Sequence, residues 1–285
     1  MPDMDDFPRV QAARISRWTN HLRCLGRWRQ INHGQYSRGH IMEPAAYLEM
    51  AEDESRHWWF SARRAILSAM IGQLDLPEKS RILEIGCGTG GNLQMLAGFG
   101  DVSAFEMDAQ ARAMASKKTA GLCDIRAGQC PHEIPFDGQR FDLICMFDVL
   151  EHIEQDVETL AAIRPLLADN GRILIMVPAY QWLYGTHDIF LHHKRRYTSR
   201  QLRSKIAAAG LRCTRMSHLN MLLFPLAAAA RIKDKLFPGG SATGAHVPSA
   251  MINSVFGNVF SSERHLLKHF NLPFGVSLLC VLEAA

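Results

Sequence analysis

The chain is predicted to fold as an α/β domain, a mostly parallel sheet with helices on both faces, and three observations predict it. From Arg81 onward, short apolar stretches alternate with helical ones. A glycine-rich turn joins the first apolar stretch to the helix behind it. The stretches that break the alternation come late in the chain, where loops of such a sheet gather at its carboxyl edge. The 285 residues suit one large domain, and a 47% share of hydrophobic residues is enough for its core. A net charge of +4 is too mild to argue for nucleic acid, and no RNA-binding motif is present.

Strands are predicted at Arg81–Ile85, Val102–Glu106, Cys123–Ala127, Phe141–Met146, Arg172–Val177, Leu211–Met216 and Phe274–Leu282. Helices are predicted between them at Gly91–Ala97, Ala109–Lys118, Glu154–Leu167 and Arg200–Ala209, with Gly210 placed to cap the last. The result is a Rossmann-like, seven-stranded sheet. Residues 42–78 are expected to form N-terminal lid helices, and residues 179–199 and 218–271 substrate-cap insertions. Residues 1–41 carry seven Arg, no Lys and no acid after Asp6. They read as a disordered basic extension, dispensable for folding, with Met42 an alternative start; a short amphipathic helix on an anionic membrane is the other reading. The apolar run Met221–Ala230 falls short of the roughly 20 residues that span a bilayer, so no transmembrane segment is expected. It reads as buried packing or as a lipid groove. Seven scattered cysteines without a C-x-x-C pair read as free thiols of a reducing, cytoplasmic compartment, and no metal motif is matched.

The strongest motif is Leu83-Glu84-Ile85-Gly86-Cys87-Gly88-Thr89-Gly90-Gly91. Its glycines permit a tight turn and close approach to a ligand, and a side chain at Gly86 is expected to fill the ligand slot. The helix N-terminus behind the turn is expected to offer N–H groups to a carboxylate. Glu106, ending the next strand, is placed to accept hydrogen bonds from both ribose hydroxyls. Gly86, Gly88 and Gly91 also match the dinucleotide pattern, so an NAD-dependent oxidoreductase stays open. Glu84 weighs against it, because a carboxylate there suits a ligand with an ammonium and a sulfonium and repels a pyrophosphate.

Glu84-Ile-Gly86-Cys-Gly88-Thr-Gly90 resembles motif I of class I S-adenosylmethionine methyltransferases. Phe141-Asp142-Leu143 with Phe147-Asp148-Val149-Leu150-Glu151-His152 resembles the fourth-strand motif of the ubiquinone-type O-methyltransferases. His57-Trp58-Trp59-Phe60 with Arg63-Arg64, His187-Asp188 through His192-His193-Lys194-Arg195-Arg196-Tyr197, and Pro273-Phe274-Gly275 resemble a narrower bacterial group, of methyltransferase type 11/12. The resemblance runs from about Met42 to the C-terminus and implies S-adenosyl-L-methionine as cofactor. It implies that Gly86, Cys87 and Gly88 line the methionine portion, with Glu84 at its ammonium and Arg63 at its carboxylate, Arg64 being the rival. Glu106 would hold the ribose, Met107 pack on the adenine, Gln129 and Cys130 flank its edge, and Phe147 touch the methionine side. Many relatives carry an acid where Gln129 stands; an amide still bonds the adenine edge.

Trp58, Trp59 and Phe60 serve either as a lid or as core packing. His152 is a candidate general base or a turn histidine. His187, Asp188, His192 and His193 are expected to face the transferred methyl, with only one of the adjacent His192 and His193 able to serve. Lys194–Arg196 reads as a grip on an anionic acceptor or as a solvated charge run. The expected reaction is methyl transfer, most simply O-methylation, to a small-molecule, sugar or lipid-linked acceptor, with peripheral membrane contact allowed. A cofactor-binding protein without transfer activity is the other alternative.

Overall fold

The computed structural model describes residues 51, 53–236 and 247–285. The basic extension, the start of the lid, and Gly239 and Gly240 of the cap lie outside the described residues. After helical residues 53–56, α1 (Trp58–Ile71) leads into β1 (Ser80–Ile85), α2 (Leu93–Leu96), β2 (Gly100–Glu106), α3 (Ala109–Thr119) and β3 (Asp124–Ala127). Then follow β4 (Phe141–Phe147), α4 (Asp156–Ile163), β5 (Leu167–Pro178), α5 (Thr186–Phe190), α6 (Ser199–Ala208) and β6 (Leu211–Leu219). The last elements are α7 (Phe224–Leu236), α8 (Ala250–Leu266) and β7 (Ser277–Ala284).

The sheet has seven strands in the order β3-β2-β1-β4-β5-β7-β6, with β7 antiparallel to both neighbours and the other pairings parallel. All seven predicted strands are present. One apolar cluster on each face buries β1, β4 and β5 from both sides, which is why these strands read as continuous apolar runs. β1, β2, β4, β5 and β6 all end at one edge, and the connections leaving that edge hold the residues the sequence singles out.

Three elements differ from expectation. α2 is a single turn instead of Gly91–Ala97, because Asn92 turns its side chain back to Glu84 and does not cap the helix. So short a helix has no developed N-terminal field to offer an anion. The helix predicted over Glu154–Leu167 ends at Ile163 and tightens to a 3₁₀ turn at Arg164–Leu166, where Pro165 lacks the amide to continue it. β5 starts at Leu167, pairing with Phe141 across a register shift. The stop at Gly210 is as expected: its φ is +70°, and Thr198 caps the other end of α6 in a capping box with Gln201.

α1 and α8 pack together over the sheet. Trp59 stacks on Phe260 with ring centroids 5.0 Å apart, and Trp58 meets Phe256 edge-on at 5.4 Å. Asn253 of α8 accepts from the Trp58 amide at 2.9 Å and donates to the Arg56 carbonyl at 2.9 Å. The aromatic cluster therefore both packs the core and ties α1 to α8. Glu263, fully buried on α8, accepts from the Asn220 and Leu222 amides at 2.7 and 2.9 Å, anchoring α8 to the end of β6. α7, in contrast, has no buried residue and exposes Leu226, Ile232 and Leu236. No described helix is long and apolar enough to cross a membrane.

Candidate active site

The glycine turn begins where β1 ends. Gly86 has φ +65°, and its amide donates to the Phe105 carbonyl at 2.9 Å, fastening the turn to β2. A Cβ on Gly86 would lie 2.8 Å from Val149 Cγ2, so a side chain there strikes Val149 before it could fill a ligand slot. Gly88 differs: it has φ +53°, and a Cβ would meet nothing within 4 Å. The open side of the turn is at Gly88. Cys87 is buried beside it, and burial pushes its thiol pKa up, so it lines the turn without reacting.

Two buried carboxylates flank this opening. Glu84 Oε1 accepts from Asn92 Nδ2 at 2.8 Å, while Oε2 is buried with no partner. Burial outweighs that bond and the nearby Arg63 charge, and pushes the Glu84 carboxyl up to about 8. Glu106 Oε2 accepts from the Gly88 amide at 3.0 Å and Oε1 from the Asp108 amide at 2.9 Å. Each oxygen keeps a lone pair for a hydroxyl. Met107 follows at the strand end, and Asp108 caps α3. Gln129 makes a backbone bridge with Glu133, and buried Cys130 follows it.

Arg63, buried on α1, pairs through Nη1 with Asp148, and its Nε is unpartnered. Arg64 donates instead to the Glu54 carbonyl at 2.8 Å. Asp148 follows Phe147 at the end of β4 and holds φ +55°, a strained value for a residue with a side chain. Its charge acts on Glu151, which is fully buried with both carboxylate oxygens unpartnered. Burial, then the Asp148 charge, pushes the Glu151 carboxyl far above its usual range.

The acceptor-side candidates converge on Glu151 only in part. His193 is buried; its Nδ1 lies 2.9 Å from Asp188 Oδ1 and its Nε2 3.8 Å from Glu151 Oε1. Asp188 is held by Arg196 Nε at 2.7 Å and the Gly185 amide at 2.9 Å. Burial opposes its charge, but the hydrogen bonds from His193 and Arg196 outweigh it and keep this carboxyl well below the usual range. His152 meets His193 edge-on at 4.7 Å, and burial lowers its imidazole to about 4. His192 is exposed, and His187 sits apart from Glu151, beside Arg231, with burial lowering it to about 4 as well. The basic run faces acids of the same chain: Lys194 pairs with Glu154, Arg195 with Glu154 and Asp156, and Arg196 with Asp188. Lys194 and its partner Glu154 are exposed, whereas Arg196 is buried against Asp188, so only the start of the run is solvated.

Sheet order, the glycine turn and the acid ending β2 describe the fold, and comparison with known proteins decides the relationship. The model of a methyltransferase domain matches residues 55–221. The chain belongs to the methyltransferase-domain family. An uncharacterized methyltransferase of Staphylococcus carnosus is 35% identical over 112 residues, 38% of this chain and 52% of that protein. The chain thus spans about half the length of the curated relative it matches. Among solved structures, it is similar in fold to a chain of the Haloferax volcanii complex between the Trm112 methyltransferase activator and a protein assigned as a methyltransferase. There the TM-score is 0.57 at 18% identity, covering 87% of this chain and 99% of that one. An S-adenosylmethionine-dependent methyltransferase of Clostridium acetobutylicum gives a TM-score of 0.54 at 10% identity, covering 84% and 99%.

Three residues stand at the candidate site that sequence reasoning did not select. Asp148 and Glu151 had a signal, being acids in the same motif as His152. Arg231 had none. It lies in the apolar cap on α7, yet its Nη1 is buried and unpartnered and its charge acts on His187 and Asp188.

Proposed function

We propose that the protein binds S-adenosyl-L-methionine and transfers its methyl group to an oxygen of a small-molecule acceptor. The single observation that carries this reading is the pair of buried carboxylates, Glu84 and Glu106, on either side of the open turn at Gly88. When bound, the cofactor supplies an activated methyl on a sulfonium. The residues present fit it. The unpartnered Glu84 Oε2 suits an ammonium, and the unpartnered Arg63 Nε suits the amino-acid carboxylate. Glu106 has the free lone pairs for two ribose hydroxyls, and Met107, Gln129 and Cys130 are the residues for the adenine. Phe147, at the end of β4, walls the methionine side. A pyrophosphate at the same place would face Glu84 and Glu106 without a helix terminus to receive it, which weighs against NAD.

The acceptor end is the cluster beyond Asp148. His193, oriented by Asp188 through Nδ1, presents Nε2 and takes the acceptor proton. His152, at about 4, holds a proton poorly at neutral pH and serves better as a neutral neighbour. An anionic acceptor would meet Arg231 and His187 in place of the occupied Lys194–Arg196 run. The exposed Leu226, Ile232 and Leu236 of α7, beside Lys233 and Lys235, favour an acceptor delivered from a lipid surface. We read the protein as cytoplasmic, in keeping with six described free cysteines. Binding of radiolabelled S-adenosylmethionine against NAD tests the cofactor. Methyl-labelled products from cell extract then identify the acceptor. Preference for NAD, or cofactor binding with no labelled product from any fraction, contradicts the reading.

A further inference from the structure

Glu151 poses a problem that methyl transfer alone does not solve. A fully buried carboxylate with neither oxygen hydrogen-bonded is costly, and such groups are paired, protonated or bound to a cation. His152 Nδ1, beside it, is also buried without a partner. His193 is the third member. One ligand atom from each of Glu151, His152 and His193 lies within 4.8 Å of the others.

We propose that Glu151, His152 and His193 hold a divalent transition-metal cation beside the acceptor pocket. Two imidazoles and a carboxylate suit Zn²⁺, Co²⁺, Fe²⁺ or Mn²⁺ better than Mg²⁺ or Ca²⁺, which favour all-oxygen sites. The strongest support is the order of groups behind His193. Asp188 lies 2.9 Å from Nδ1, so Nδ1 carries the proton and Nε2 turns its lone pair toward Glu151. A carboxylate bonded to the far nitrogen of a ligating histidine is the usual supporting arrangement at metal sites. Arg196 and the Gly185 amide fix Asp188 in turn. The 3.8 Å between His193 Nε2 and Glu151 Oε1 is close to the roughly 3.3 Å between ligand atoms of a tetrahedral site with bonds near 2.0 Å. Three protein ligands leave a position open, as at catalytic centres. The acceptor oxygen would occupy it, and its proton would pass to solvent as the cation lowers its pKa, replacing the proton-accepting role of His193, whose Nε2 lone pair the cation then holds.

This inference rests on the methyl-transfer reading only for where the acceptor lies; cation binding is measurable without it. Chelator-stripped full-length protein is titrated with Zn²⁺ and with Co²⁺ by calorimetry, and the visible spectrum of the Co²⁺ form is recorded. The expected result is about one cation per chain and a Co²⁺ spectrum of low coordination number. Glu151→Gln and His193→Ala should abolish that site, and Asp188→Asn should weaken it about 10–100-fold. His265→Ala, outside the cluster, should leave it intact. If Glu151→Gln fails to fold by circular dichroism, His152→Ala carries the same comparison. Absence of a stoichiometric site, or a site that persists in Glu151→Gln and His193→Ala, overturns the inference. If no cation binds while S-adenosylmethionine does and His193→Ala still loses turnover, the methyl-transfer reading stands with His193 as base. If S-adenosylmethionine does not bind, that reading fails whatever the cation does.

Discussion

Glu84 carries a carboxyl group into a fully buried position, and its unpartnered oxygen gives the proposed cofactor site a pH signature. Without ligand it holds its proton up to about pH 8. An ammonium at Oε2 favours the carboxylate, so binding releases a proton below that value. Affinity therefore rises from about pH 6 toward pH 8, then turns over as the ligand's own amine, which titrates near 8, loses its charge. Glu106→Ala should weaken binding by about 1–3 kcal/mol through the lost ribose hydrogen bonds. Gly86→Ala is a poorer probe, because φ +65° and the overlap with Val149 disturb the turn itself. On the acceptor side the histidines separate sharply. His193→Ala should lower turnover about a hundredfold or more with cofactor affinity nearly unchanged, while exposed His192→Ala should keep turnover. Equal turnover of these two variants would remove His193 from the chemistry.

At the scale of elements, the strands were legible because each is a short apolar run bounded by glycine or polar residues, and burial on both faces imposes that pattern. α6 was legible from Gly210 just past its end. α2 was not, because Asn92 reads as an ordinary helical residue until Glu84 appears across the turn. The proposed cofactor half draws on several β-α segments, and only its centre, Glu84 to Gly91, was readable as a continuous motif. The proposed acceptor half joins β4, α5 and α7 in space, so Arg231 left no local trace. Packing of α1 on α8 makes the placement of α1 depend on Phe260, which is fully buried against both tryptophans. Phe260→Ala should lower stability by about 3–5 kcal/mol, measured by denaturant unfolding. On α7, Ile232→Asp with Leu236→Asp should reduce sedimentation with anionic vesicles while leaving the melting temperature unchanged, since both residues are exposed. Undiminished sedimentation would count against lipid delivery.

Across the whole molecule, seven described non-glycine residues hold positive φ, and three of them stand just after strands at the carboxyl edge of the sheet. Asp148 after β4, Tyr180 after β5 and Asn220 after β6 all hold φ near +60° without being glycine. Each such residue costs about 1–3 kcal/mol and persists only where its surroundings enforce it. From that edge a line of ionisable groups runs from Glu84 through Arg63, Asp148 and Glu151 to His193, Asp188 and Arg196. It connects the proposed cofactor end to the proposed acceptor end. Calorimetric titration with S-adenosylmethionine between about pH 6 and pH 8, in wild type and Glu84→Gln, tests the central claim most directly. The account predicts binding to the wild type that strengthens with pH and releases a proton, a slope lost in Glu84→Gln, and no comparable binding of NAD. Failure of the wild type to bind S-adenosylmethionine, or the same affinity and pH dependence in both proteins, would contradict it.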